Sequence, residues 1–102
     1  MHPDVEPFAK AYADLQAKFF EINRKLDESS QRFLNANPNS PTYYQTSTDH
    51  GRLFDEWVDA YHALEDAAVR LQEEALKAAQ WPDSHPLVQH YKRRREEIDR
   101  QK

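Results

Sequence analysis

Asp55, Asp59, His62 and Asp66 follow one another at spacings of four, three and four, which places three carboxylates and an imidazole along one face of a helix. Such a stripe offers ligands for a hard or borderline divalent cation and so raises a metal-dependent all-α enzyme as one reading. A carboxylate site inside a bundle also needs acids facing it from neighbouring helices. The stripe is offset from the apolar positions of its own segment, so solvated surface is the simpler expectation, and no cofactor is expected. His2, His50, His85 and His90 show no zinc-ligand spacing.

The run Lys92, Arg93, Arg94 and Arg95 is the second group with chemical potential, because clustered bases bind phosphate by releasing counterions. Four consecutive helical residues point around most of the circumference, however, and no aromatic interleaves them. The chain has a net charge of -4 and a pI near 5.7, without the basic footprint of a dedicated nucleic-acid binder. Charge is unevenly placed: residues 1–48 carry a net -1, residues 49–82 a net -5 and residues 83–102 a net +2. An acidic second helix and a basic third one that neutralise each other explain both patches, and nucleic acid is the disfavoured partner.

A single glycine, Gly51, leaves no phosphate-cradling loop. No serine sits in a nucleophile elbow, and covalent catalysis has no candidate. Glu65, Asp66, Glu73 and Glu74 are similar in kind to the helix-borne acids of all-α nucleotide pyrophosphohydrolases without reproducing that family's acidic pattern. The architecture also resembles small Trp-x-Gly effector hairpins, but the turn holds no Trp-x-Gly, and Tyr91 is followed four positions later by Arg95 rather than an acid. Neither family is assigned, and the balance favours a non-enzymatic protein.

The elements that position these residues are helical. Val5, Phe8, Tyr12, Leu15, Phe19, Ile22, Leu26 and Phe33 step by three and four, with Ser29 interrupting, and predict a first helix over about 4–35 capped by Asp4. Phe54, Trp57, Tyr61, Leu64, Ala68, Leu71, Ala75 and Ala78 do the same for a second helix over about 48–80, ended by Trp81–Pro82. The prolines at 38 and 41 and the lack of any period predict a loop over 36–47. A third helix over about 86–100 opens at Pro86. The fold expected is one all-α domain: an antiparallel, coiled-coil-like hairpin with a shorter C-terminal helix, a three-helix bundle that also has surface to spare for dimerisation. The loop midpoint suggests Phe19 opposite Leu64 and Leu26 opposite Trp57.

Phe20, Leu34, Leu53, Val58, Val69 and Leu76 lie off the hairpin seam. Two helices cannot bury them all, so a docked third helix, expected near Val69 and Leu76, or a second copy must cover them. Tyr43 and Tyr44 add aromatic surface in the loop, with both rings folding over the bundle end as the plainer outcome. The function expected is therefore an interaction module of adaptor, small-inhibitor or immunity type. It would bind another protein, or its own copy, through Phe20, Leu34, Tyr43, Tyr44, Leu53 and Val58. There is no cysteine, the mean hydropathy is -1.05, and neither a signal peptide nor an apolar run of membrane-spanning length is evident. A cytoplasmic, membrane-free setting is expected.

Overall fold

The computed structural model describes residues 2–102. Three helices, α1 (Glu6–Leu34), α2 (Tyr43–Ala78) and α3 (Pro86–Gln101), make up the fold, with no strand among the described residues. No helix is long and apolar enough to cross a membrane. The chain divides into two compact units. One joins the segment ending at Leu15 to Ala63–Lys102, and the other is Gln16–His62.

The first unit holds pieces of all three helices, and the expected three-helix bundle forms there. Val5, Val69, Leu76 and Ile98 are its buried apolar side chains. Val69 and Leu76 are the two off-seam residues expected to receive the third helix, and α3 docks beside them, antiparallel to α2. Direction and register are visible in the contacts: Asp66 meets Lys102, Arg70 meets Asp99 and Glu73 meets Arg95.

One histidine begins α3, and another closes the turn before α1. His85 has an extended backbone (φ −65°, ψ 135°), and its Nδ1 accepts the Leu87 N–H at 3.1 Å, with Pro86 at the first helical position. The expected Asp4 cap is not the one formed. His2 Nδ1 accepts the Asp4 N–H at 3.1 Å, and the His2 carbonyl accepts from Val5 and Glu6. The repeated His-Pro dipeptide carries this signal, since an imidazole nitrogen can replace the hydroxyl or carboxylate oxygen of commoner caps.

The end of α2 is a reversal without glycine. The Trp81 N–H donates to the Leu76 carbonyl at 3.1 Å and the Gln80 N–H to that of Lys77 at 2.9 Å, the double bond of a Schellman turn. Gln80 sits at φ 61°, the left-handed region that glycine enters without strain.

The second unit is a two-helix hairpin. Its connection is shorter than expected, because α2 starts at Tyr43 instead of near 48. Asn37 Oδ1 accepts the Asn39 N–H at 3.0 Å, and Ser40 Oγ accepts the Thr42 N–H at 3.3 Å. The Asn37 and Ser40 side chains thus satisfy the turn, and Pro41 leads into the helix. Thr46 and Thr48 return their hydroxyls to the carbonyls of Thr42 and Tyr44. The early start moves the loop midpoint towards the N-terminus and changes the pairing. Phe19 lies tilted against Trp57 and Tyr61 (5.7 and 6.4 Å between centroids), and Asn23 Oδ1 accepts the Trp57 Nε1–H at 3.1 Å. Trp57 therefore meets a position about one turn earlier on α1 than Leu26.

Gln80→Gly is expected to raise the unfolding free energy by about 1 kcal/mol by relieving the left-handed strain, read as a later midpoint in chemical denaturation.

Candidate interaction surface

Burial separates the two units by chemistry. All four buried apolar side chains belong to the three-helix unit, whereas Ser29 is the only buried residue of Gln16–His62 among those described. In the hairpin unit Phe20, Leu34, Tyr44, Phe54 and Tyr61 are exposed by 59, 74, 81, 49 and 45%. Leu53 and Val58 are half-buried. Phe54 and Tyr61, expected inside the hairpin seam, are thus at its edge.

The aromatic side chains form a continuous group. Phe54 stacks on Trp57 (6.1 Å, 24°), Trp57 on Tyr61 (5.7 Å, 18°), and Phe19 bridges Trp57 to Phe20 at 6.2 Å. Phe19 and Trp57 are half-buried in the middle, while Phe20, Phe54 and Tyr61 flank them in water. The two loop tyrosines take different paths. Tyr43 stacks on Phe33 (5.8 Å), which also stacks flat on His50 (5.4 Å, 8°), so this ring folds back over the hairpin end. Tyr44, one residue later on α2, points away into solvent. His50 Nδ1 is shielded in that stack with no hydrogen-bond partner.

The acidic stripe is not assembled as a metal site. Asp55, Asp59 and His62 are exposed. Asp66 is held by Arg70 Nε at 3.0 Å and Lys102 Nζ at 3.1 Å. Among the described residues no group of three or more His, Cys, Asp or Glu is placed to share a cation.

Half of the basic run is committed to the fold. Arg95 grips Glu73 through Nε at 2.8 and 3.0 Å, and Arg94 bonds Glu65 and Glu97. The hydrogen bond from Arg95 to Glu73, reinforced by its charge, holds the guanidinium above its ordinary value. Lys92 and Arg93 remain exposed and form no ion pair among the described residues. A groove of about 250 Å³ nearby is lined by Leu76, Trp81 and Val88 with Glu73, Lys92 and Arg95. It is smaller than usual ligand pockets, and its Glu73–Arg95 pair is already satisfied.

The exposed ion pairs of the hairpin are of another kind. Arg24 reaches Glu21 and Glu28 along its own helix at 2.6 Å each, and the Arg24 hydrogen bond keeps the Glu21 carboxyl below the ordinary carboxylate range. That contribution is present at neutral pH and is lost as pH falls through the lowered value. Water screens it strongly.

No protein-family model, curated protein or solved structure matches the chain.

The contrast between the two kinds of ion pair is testable. Glu73→Gln should lower the unfolding free energy by about 1 kcal/mol, because it takes from a part-buried guanidinium the nearer of its two charge partners. Glu21→Gln should leave the denaturation midpoint nearly unchanged.

Proposed function

We propose that this protein is a non-enzymatic interaction module that binds protein through the aromatic face of Gln16–His62. The observation that carries the reading is the exposed group of Phe20, Phe54 and Tyr61 around Phe19 and Trp57, with Leu34 and Tyr44 exposed elsewhere in the same unit. Scattered single apolar residues on a surface need no explanation, but a contiguous aromatic group marks a site of contact. Large rings are also the side chains that contribute most at the centres of interfaces. The ionisable residues with catalytic potential are instead tied into ion pairs or dispersed. Adaptor, inhibitor and immunity-type roles all use such a face, and a chain without cysteine suits a reducing cytoplasm.

A photo-crosslinking side chain in place of Tyr44 or Phe20 tests this in the host cell. Adducts with protein are expected from these two positions and not from exposed Arg93 in the other unit. Absence of adducts at both aromatic positions would sink the proposal. Tyr44→Ser should change the unfolding free energy by less than about 0.5 kcal/mol, as exposed positions usually do, so that lost binding is not mistaken for unfolding.

A further inference from the structure

The dipeptide His-Pro occurs twice, at His2–Pro3 and His85–Pro86. In both, the imidazole Nδ1 accepts the backbone N–H two residues on, that of Asp4 or Leu87, at 3.1 Å. Aspartate, asparagine or serine in such a position accepts through oxygen and goes on doing so between about pH 5 and 8. Histidine accepts only while Nδ1 carries no proton, with the ring hydrogen on Nε2. Protonation turns that acceptor into a donor aimed at another donor.

The two histidines meet a proton differently. Asp4 Oδ2 lies 3.7 Å from His2 Nδ1, so a protonated His2 exchanges its amide bond for an ion pair. His85 forms no ion pair among the described residues. Trp81 meets its ring in a T-shaped contact at 4.5 Å. The groove that Trp81 lines brings Asp83, Lys77 and Lys92 to this end of the bundle, together with Glu73 and Arg95, which are joined to each other. From the start of the chain, His2 and Asp4 share a separate hollow with Glu74 and Lys77. One free acid, Asp83, thus stands against two lysines, and no carboxylate takes the part for His85 that Asp4 takes for His2.

Position works in the same direction. Pro86 has no N–H, so the Leu87 amide is the first donor of α3, and His85 Nδ1 is its acceptor. Helix amides without internal partners make this end partially positive, and a cation there is repelled. The imidazole is half-buried, so protons reach it from solvent. Beyond the first turn α3 is held by other means: Arg94 on Glu65, Arg95 on Glu73, Asp99 on Arg70, and the buried Ile98.

We propose that His85 is an acid-sensitive latch on the first turn of α3. Neutral, it caps the helix; protonated at Nδ1, it releases the Leu87 N–H and loosens the turn that carries Val88, opening the groove of Leu76, Trp81 and Val88 while the second half of α3 stays docked. The capped fold requires an Nδ1 without a proton, and the unfolded chain makes no such demand. The stability the cap contributes is therefore present above the histidine titration range and is lost as pH falls through it. His2, with Asp4 beside it, is no such latch.

Asparagine caps helices equally well and does not titrate in this range, so His85→Asn keeps the cap and removes the proton site. Thermal unfolding of the full chain at about pH 7.5 and about pH 5 should show a fall in midpoint some 4–8 °C larger in the wild type than in His85→Asn, the shift expected for one cap. The other histidines titrate in both proteins and cancel, and His2→Asn should keep the wild-type fall. Locally, the exchange protection of the Leu87 amide, corrected for the intrinsic rate at each pH, should drop at least about fivefold on acidification in the wild type. It should stay level in His85→Asn, and the amides around Ile98 should keep theirs in both. Equal falls in midpoint for the wild type and His85→Asn, or a Leu87 protection that ignores pH, would overturn the latch. So would imidazole nitrogen NMR placing the proton of neutral His85 on Nδ1, or a His2→Asn protein that loses its pH dependence as fully as His85→Asn.

Discussion

Two helices in contact turn only one stripe each towards the other, and the exclusion of water in this protein depends on a third. The apolar side chains that lose nearly all contact with solvent, Val5, Val69, Leu76 and Ile98, lie in the unit that contains α3. The hairpin unit has the same amphipathic sequence character and twice as many aromatic residues, eight against four, yet none of its apolar residues is buried. The difference is geometric. A residue about a quarter-turn away from a two-helix seam has nothing opposite it, whatever its hydrophobicity.

The docking of α3 is electrostatic at its edges as well as apolar at its centre. Glu65 and Glu73 of α2 meet Arg94 and Arg95 of α3, Asp66 meets Lys102 just beyond the end of α3, and Arg70 reaches across in the opposite sense to Asp99. The uneven charge of the sequence, acidic in its second helix and basic in its third, is therefore largely an internal matter of the fold. Asp66 is paired with Arg70 and Lys102, and Arg94 and Arg95 with Glu65 and Glu73.

The hairpin unit retains a cluster of stacked rings in contact with water, beside a helix glycine that its own chain neither strains nor packs against. Both features lower the stability of an isolated chain, one by leaving apolar area hydrated and the other by loosening the helix backbone.

The periodic rows of apolar residues were enough to show three helices, an antiparallel hairpin, the docking of the third helix near Val69 and Leu76, and the charge match between α2 and α3. These properties follow from spacings of three and four and from the sign of side chains, both of which are local and additive. The start of α2 at Tyr43, the histidine caps and the Schellman turn at Gln80 were harder to see, because Ser40–Pro41 serves equally to break or to begin a helix and because Gln80 is not glycine. Only the tertiary structure decided which aromatic residues are covered. Phe54 and Trp57 sit three residues apart in one apolar row, but burial depends on what lies opposite each ring and on the loop length that sets the register. Sequence pattern states which face of a helix seeks cover; where that cover is supplied is a property of the whole packed chain.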